Sequence, residues 1–489
     1  MKTWDLKLFQ FLFLILPLSL VTGLMWPNVI ITLIVIFYIF KNFSKIFNVP
    51  FYFKVFFLFI TYLIFISLIG DTILFSLESA FAYLRYGLFI LAIPYILNEK
   101  KILKFFFYIL SIFFLILFFD LIFQFIHKKN IFGIPNLNAE RISGMFGKRQ
   151  VAGSYALRLM PILFFLIIIF VKNNFIHKLL LIFVSLGIII LSGERTSLFL
   201  FLLFLVFAIL VEKKLSFLIS IIFIILLSLI LINFIMPTQK KRLYDHTLNQ
   251  LYLKDNVKKY YIFSERHQYH FLTSLNMFKE NIFFGTGPNS FRYLCDNKKY
   301  SVEKVIIENN TIRAKFDGKI VLDHENSYLQ EYKIFRYRHT DIEIKASLFK
   351  DNKIFETIII PVRSELHVLN NSDFKKNDIL FMKYIEHKNG CNTHPHNFLI
   401  QILGETGLFG ILFYIYFLYK IIFFILKNLY FLYFKNQILN SQKKMYLVVA
   451  CLINFFPFTA SGNFFNSWLC IIFSIPLGLL YYLEKNKIH

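Results

Sequence analysis

The residues in this 489-residue chain best suited to chemistry lie at 393–410, where the sequence reads THPHNFLIQILGETGLFG. His394 and His396 stand where a polar stretch gives way to an apolar one. Imidazole titrates near neutrality, so either ring suits a general base, and either also suits a hydrogen-bonding role at an interface. Glycines at 404, 407 and 410 permit close helix contact or a bend, and Glu405, two turns into the apolar stretch, must face protein. A second group of residues is cationic. Outside residues 237–395 the chain has five arginines, Arg85, Arg141, Arg149, Arg158 and Arg195, all near the same ends of the apolar runs, whereas the opposite ends carry only lysine. Arginine presents a planar fork of donors that grips phosphate, and it stays charged when partly desolvated. The split points to a phosphate site. Local pairing with Asp71, Asp120 or Glu194 is the simpler alternative. His267 and His270 could join His394 and His396 around a metal, but no carboxylate pattern accompanies them, and no metal or other cofactor is expected.

The elements that must position these residues are membrane spans. Hydrophobic residues make up 57% of the chain and charged residues 17%, too little polar surface to wrap the apolar mass of a soluble protein. Runs of the length a bilayer needs lie near 7–24, 27–43, 52–70, 82–98, 103–126, 153–171, 175–192, 196–212, 215–236, 397–426, 445–460 and 464–482. The expected fold class is therefore an all-α polytopic membrane protein with about 12 transmembrane helices: nine in residues 1–236 and three in 397–489. Lysines fill one set of short loops (Lys41, Lys45, Lys54; Lys100, Lys101, Lys104; Lys213, Lys214), and the turns at 22–26, 71–81 and 461–463 carry neither Lys nor Arg. That asymmetry puts both termini in the cytoplasm and residues 237–396 outside. The net charge of +24 is mostly of this kind: residues 237–395 hold 26 basic against 19 acidic side chains, and the excess lies in the short loops. Such a distribution argues against a nucleic-acid partner.

The outer loop 237–396 is too long to be structureless. Residues 257–294 read as an amphipathic helix and a turn, Gly285-Thr286-Gly287-Pro288. A small β-rich insertion is expected at about 300–388, from period-two alternation at 341–349 and 354–362 and the turn signals Phe316-Asp317-Gly318-Lys319 and Asp351-Asn352. Cys295 and Cys391 bracket it. On an oxidising side of the membrane they suit a disulfide, two free thiols being the alternative. Cys451 and Cys470 lie in spans and read as small hydrophobes.

Four segments, in order and with consistent topology, make the chain resemble the O-antigen ligase family. Residues 394–410 (HPHNFLIQILGETGLFG) are similar to its His-Asn signature after the outer loop. Residues 141–161 (RISGMFGKRQVAGSYALRLMP) resemble its Arg, Ser-Gly, Phe-Gly stretch, although Lys148, Arg149 and Gln150 stand where the family often has Asn-Pro-Asn-like residues. Residues 191–197 (LSGERTS) resemble its Ser-x-Arg turn, and 283–291 (FFGTGPNSF), preceded by Arg266, its Gly-x-Gly segment. The insertion at 300–388 is not part of that pattern.

The resemblance implies a metal-independent, inverting glycosyltransferase of the bacterial inner membrane. It implies transfer of a glycan from a polyprenyl diphosphate donor to lipid A-core on the periplasmic side. His396 would be the general base, with His394 as second candidate or orienter. Arg195, Arg141 and Arg266 would bind the diphosphate, with Arg85 and Arg158 as weaker candidates. The superfamily's polymerases share the donor chemistry and take a carrier-linked acceptor, so that reading stays open. A transporter of lipid-linked sugar would show inverted repeats, and none is visible.

Overall fold

The structure, a computed structural model, describes residues 3–46, 49–247, 265–295, 297, 299–300, six strands between 304 and 362, 391–435 and 437–486. Among the described residues nine α-helices precede the large loop: α1 Thr3–Thr22, α2 Met25–Ile46, α3 Phe51–Ile69, α4 Ile73–Ile96, α5 Lys100–His127, α6 Ala152–Phe170, α7 Asn174–Ser192, α8 Arg195–Glu212 and α9 Leu215–Ile235. Within the loop lies α10, Glu265–Glu280; after it come α11 Phe398–Phe434, α12 Ile438–Asn454 and α13 Ser467–Lys485.

Among the described residues, ten helices (α2–α9, α11 and α13) are long and apolar enough to cross a membrane. This multi-pass, all-helical membrane architecture is the one the hydropathy predicts, but the expected count of twelve is higher. The segment at 7–24 forms an apolar helix only from Leu6 to Thr22, and that at 445–460 belongs to α12, which ends at Asn454 and opens on polar residues. For α12 the reason is burial. Residues 445–451 of α12 are all buried, wrapped by α6, α8, α11 and α13. A helix walled in by protein need not be apolar through the whole bilayer thickness. α6 is its equally buried neighbour, whereas α9 buries only Phe217 and Ile221.

Contacts sort the connections to two ends of the bundle. At one end, Tyr52 reaches Glu484, Lys213 donates to the Leu432 carbonyl, and Gln442 to that of Val211. At the other, Arg149 and the Trp468 indole both reach the Leu20 carbonyl, and Ser461 N donates to the His396 carbonyl. The large loop leaves and rejoins at this second end.

In the loop, β1 Lys304–Glu308, β2 Thr311–Phe316 and β3 Lys319–His324 form one antiparallel sheet. β4 Ser327–Arg338, β5 Asp341–Lys350 and β6 Lys353–Val362 form another. Phe316 pairs with Lys319 and Lys350 with Lys353, so two residues separate the paired positions at each of the two expected turns. Cys295 and Cys391 form a disulfide that closes the span containing both sheets.

Candidate active site

The first site is built where the loop re-enters the bundle. Asn397 caps α11: its Oδ1 accepts from Ile400 N at 3.0 Å, and its Nδ2 donates to the carbonyls of Pro457 (2.8 Å) and Thr459 (3.1 Å). His396, just before it, is left-handed at φ 58°, and its carbonyl accepts from Ser461 N at 2.8 Å. Its carbonyl is thus held while its ring projects toward α10, where His267 and His270 lie. The rings of His394, His267 and His270 lie 4.1, 5.2 and 5.3 Å from that of His396. Asn392 Nδ2 lies 3.1 Å from His396 Nε2, so the amide donates and Nε2 is the unprotonated nitrogen. Nε2 has one lone pair, so a second donor reaches it only by displacing the amide.

His394 is engaged differently. Its Nε2 lies 3.3 Å from the Ser461 carbonyl, which can only accept, so Nε2 carries the proton and Nδ1 accepts from the Thr393 hydroxyl at 2.9 Å. Burial pushes its pKa down to about 3; the Ser461 carbonyl opposes this, and Arg292, His270 and His267 reinforce it. His394 is therefore neutral at physiological pH. A histidine whose pKa is depressed on folding stabilises fully above its unfolded value, about 6.5. Between there and about 3 the unfolded chain binds the extra proton, so stability falls as pH falls. Thermal unfolding in detergent should accordingly lose stability from pH 7 to pH 5, and His394→Gln should flatten that slope. An unchanged slope in the variant would show that His394 is not the group responsible.

Beneath the histidines, α11 is broken. Gly407 has φ 64° and ψ −165°, outside any helical region, and the segment 282–287 fills the gap. Leu408 N donates to Ile282 O (2.8 Å), Gly287 N to Glu405 O (2.8 Å) and Thr286 N to Gly404 O (3.3 Å). The backbone groups freed by the break are thus satisfied by the loop. Glu405 is buried, and its carboxylate accepts from Asn289 N, Phe291 N and Gln401 Nε2, each at 3.0 Å. Asn463 joins this network through Gln401 (2.8 Å) and Asn289 (2.7 Å), and Asn289 reaches Ser79 of α4 at 3.2 Å. The Gly-x-Gly turn is therefore the plug of a broken helix.

The second site is cationic and surrounds Glu194, between α7 and α8. Its carboxylate accepts from Gly153 N (2.8 Å), Ser154 N (3.1 Å) and the Ser197 hydroxyl (3.1 Å), capping α6. A Cβ at 153 would lie 2.4 Å from Ser192 Oγ, so that hydroxyl would have to turn away to admit one. Burial raises the Glu194 carboxyl above its ordinary range, and Arg141, the Gly153 amide, Ser197 and Arg158 pull it back. Arg141 donates to the Gln150 carbonyl at 2.7 Å and keeps a buried Nε without a partner. Arg195 lies within electrostatic reach of Arg242 and Arg141. Arg242 itself donates to Gly193 O (3.2 Å) and faces Glu140 at 3.7 Å. The loop that carries Arg141 is pinned to α5 by polar side chains: Gln124 Oε1 accepts from Gly144 N (2.7 Å), and Asp120 from Ile131 N (3.0 Å).

The structure thus gathers His396 and His394 in one group, and Arg141, Arg195 and Arg158 around Glu194 in another. Arg158 bonds Ser154, its neighbour one turn back in α6. Arg85 is engaged between helices, with Thr32 and Asn28 of α2 at 2.9 Å each and the Tyr86 hydroxyl at 3.1 Å. Arg85→Ala should therefore lower thermal stability by about 1–3 kcal/mol and leave substrate KM unchanged, since it orphans part-buried acceptors. A raised KM at unchanged stability would return Arg85 to the substrate site. Arg266 opens α10, but its side chain lies outside the described residues. Arg149 bonds the carbonyls of Leu20 and Val21 at the end of α1, so the departure at 148–150 serves to cap a helix.

Three residues escaped the sequence reading. Asn392 orients His396, Arg242 joins the cluster of Arg141 and Arg195, and Arg292 acts on His394 with a buried, unpartnered Nε. No spacing signals them, because their partners are 4 to about 100 residues away. Arg292 alone carried a hint, as the cation nearest the Gly-x-Gly turn. Among the described residues, no group of three or more His, Cys, Asp or Glu side chains is placed to hold a metal ion.

No curated protein and no solved structure matches the chain. The family match ends before the two histidines of the re-entry. Residues 179–330, from within α7 to within β4, match the family model described as O-Antigen ligase.

Proposed function

We propose that the chain is a membrane glycosyltransferase of the O-antigen ligase type, moving a glycan from a polyprenyl diphosphate donor to lipid A-core at the periplasmic face of the inner membrane. The observation that carries this reading is His396, held by backbone and side-chain bonds at the mouth of the bundle with an unprotonated Nε2. His396 takes the proton of an acceptor hydroxyl as its oxygen bonds to the anomeric carbon. The bond from that carbon to the diphosphate breaks, and the polyprenyl diphosphate leaves with the electron pair. One inline displacement inverts the anomeric centre. The leaving group gains charge as it departs, and fixed guanidinium groups stabilise it without reorganising. Arg141 and Arg195, with Arg242 beside them, and Arg292 next to His394 supply such groups. Arg266 and Arg158 are further candidates for the diphosphate. His394, locked to Ser461, orients the turn.

The test is a deletion strain complemented with wild type or with an Arg195→Ala, Arg242→Ala double variant. Lipopolysaccharide is run beside extracted carrier lipid. Bare core together with full-length glycan on the carrier, in both the deletion and the double variant, supports ligation and the cationic site. Single repeat units on the core identify a polymerase instead. Unchanged lipopolysaccharide in the deletion strain overturns the reading.

A further inference from the structure

The turn that follows α5 is built for hydrocarbon rather than water. No charged residue occurs from Asn130 to Ala139, whereas Lys128 and Lys129 precede the stretch and Glu140 and Arg141 follow it. Its tip presents Ile131 and Phe132 outward, Phe132 being 68% exposed, and Leu137 is exposed as well. In water the amides of such a tip could bond solvent. Here every amide from Asn130 to Ile134 has an acceptor within the protein. Asn130 N donates to Ile134 O and Gly133 N to Asn130 O, both at 2.9 Å. Phe132 N and Ile134 N donate to Asn130 Oδ1 at 3.1 and 2.8 Å, and Ile131 N to Asp120 Oδ1 at 3.0 Å. Donors are satisfied that completely where water does not reach them.

α5 supplies the depth of the turn. Lys104 is the last lysine of α5, and Asp120 and Gln124 follow it by 16 and 20 residues. A rise of about 1.5 Å per residue puts them about 24 and about 30 Å along the helix from Lys104. The hydrocarbon core is about 30 Å thick, so Gln124 marks its boundary and Asp120 lies inside it. Tilting α5 only deepens both. Gln124 Nε2 donates to Ile134 O at 3.2 Å. The turn therefore doubles back along α5, with Ile134 at the boundary and Ile131 below it. Phe119 and Phe123, which adjoin Asp120 and Gln124 in the chain, are exposed on the lipid face of α5. The apolar tip continues that face.

We propose that residues 130–137 form a re-entrant clip seated in the hydrocarbon of the leaflet on the large-loop side, with phospholipid as its partner. Lys128 and Lys129, at its neck, meet the lipid phosphates. Gly133, next to the boundary, is close enough to the headgroups for a polar side chain to reach them. The clip leads directly into Arg141, and Ile142 N bonds Leu191 O at the end of α7 at 3.3 Å. It thereby holds the cationic site around Glu194 level with the phosphates of that leaflet. This last step rests on the transfer proposed above, whose donor diphosphate lies at the same level.

The test places a nitroxide on Phe132→Cys in the full chain, reconstituted in phosphatidylethanolamine–phosphatidylglycerol vesicles. Its collisions with oxygen are compared with its collisions with a neutral nickel chelate. Phe119→Cys on the lipid face of α5 and Lys148→Cys in an exposed loop give the two reference environments. The native cysteines are one disulfide and two buried thiols. The oxygen-to-nickel ratio at Phe132 should exceed that at Lys148 about tenfold, equivalent to about 1.4 kcal/mol of partitioning, and match that at Phe119. A ratio equal to that at Lys148 would overturn the proposal. The role in transfer is read from an Ile131→Asp, Phe132→Asp double variant, which puts two carboxylates into the leaflet. Its donor KM should rise about fivefold, close to 1 kcal/mol, at unchanged kcat. An unchanged KM would overturn that role. The nitroxide reads the membrane without substrate, so the two readings fail separately. A lipid-type ratio in protein without transfer activity defeats the proposed function and leaves the clip standing.

Discussion

Replacing His396 with asparagine is expected to lower kcat for glycan transfer by about 10²–10⁴, the usual worth of a positioned general base. KM for the lipid-linked donor should change little, because the donor diphosphate is assigned to arginines. Asparagine suits the test because residue 396 is left-handed at φ 58°, a conformation asparagine tolerates better than alanine does. Folding should therefore survive, and thermal stability within about 1 kcal/mol of wild type would confirm it. Asn392→Ala provides the companion measurement. It frees the Nε2 lone pair that the amide occupies while removing a group that orients the ring, so kcat should change by far less than on loss of His396. A His396→Asn enzyme with wild-type turnover would leave the base unassigned and reduce the ring to a structural contact.

The second large effect is on the fold. Gly407→Ala is expected to cost about 3 kcal/mol or more, enough to deplete folded protein from the membrane. Two causes combine. The backbone at φ 64°, ψ −165° is a region nearly closed to residues with a Cβ. The added Cβ would also lie 2.4 Å from the Phe283 carbonyl oxygen and 2.6 Å from Gly285 N, both backbone atoms of the plug. Gly133→Asn separates the causes, since Gly133 has φ 79° with nothing within 4 Å of a Cβ. It should be nearly neutral. If Gly407→Ala accumulates and unfolds like wild type, the plug does not hold α11 together.

Legibility in the sequence followed the solvent. A helix facing lipid must be apolar along its length, so α5 and α9 announce themselves. α12 faces protein, and its ends were misplaced because polar residues there meet partners instead of hydrocarbon. The stretch 71–81 read as an outer turn for the same reason. It is mostly the first turns of α4, whose Ser76 and Ser79 bond Thr72 and Asn289 rather than facing lipid. Of the functional groups, the local ones were visible: His394 and His396 lie in one short motif, and Glu194 adjoins Arg195. Arg242 and Asn392 were invisible, and Arg292 was hinted at only by its place near the Gly-x-Gly turn, because their roles arise from contacts the chain makes only after folding. The Gly-x-Gly segment was readable as a turn; that it completes a helix about 120 residues downstream was not.

That last contact also orders biogenesis. Residues 282–287 leave the ribosome before α11 does, and so does Cys391. Chains emerge N-terminal end first. When α11 enters the membrane, the peptide groups exposed at Gly407 need partners that hydrocarbon does not offer, and those partners already exist in the loop made before it. The loop is therefore a built-in escort for the span that follows it, and a chain lacking residues 282–287 would present the translocation machinery with an α11 it could not release into lipid.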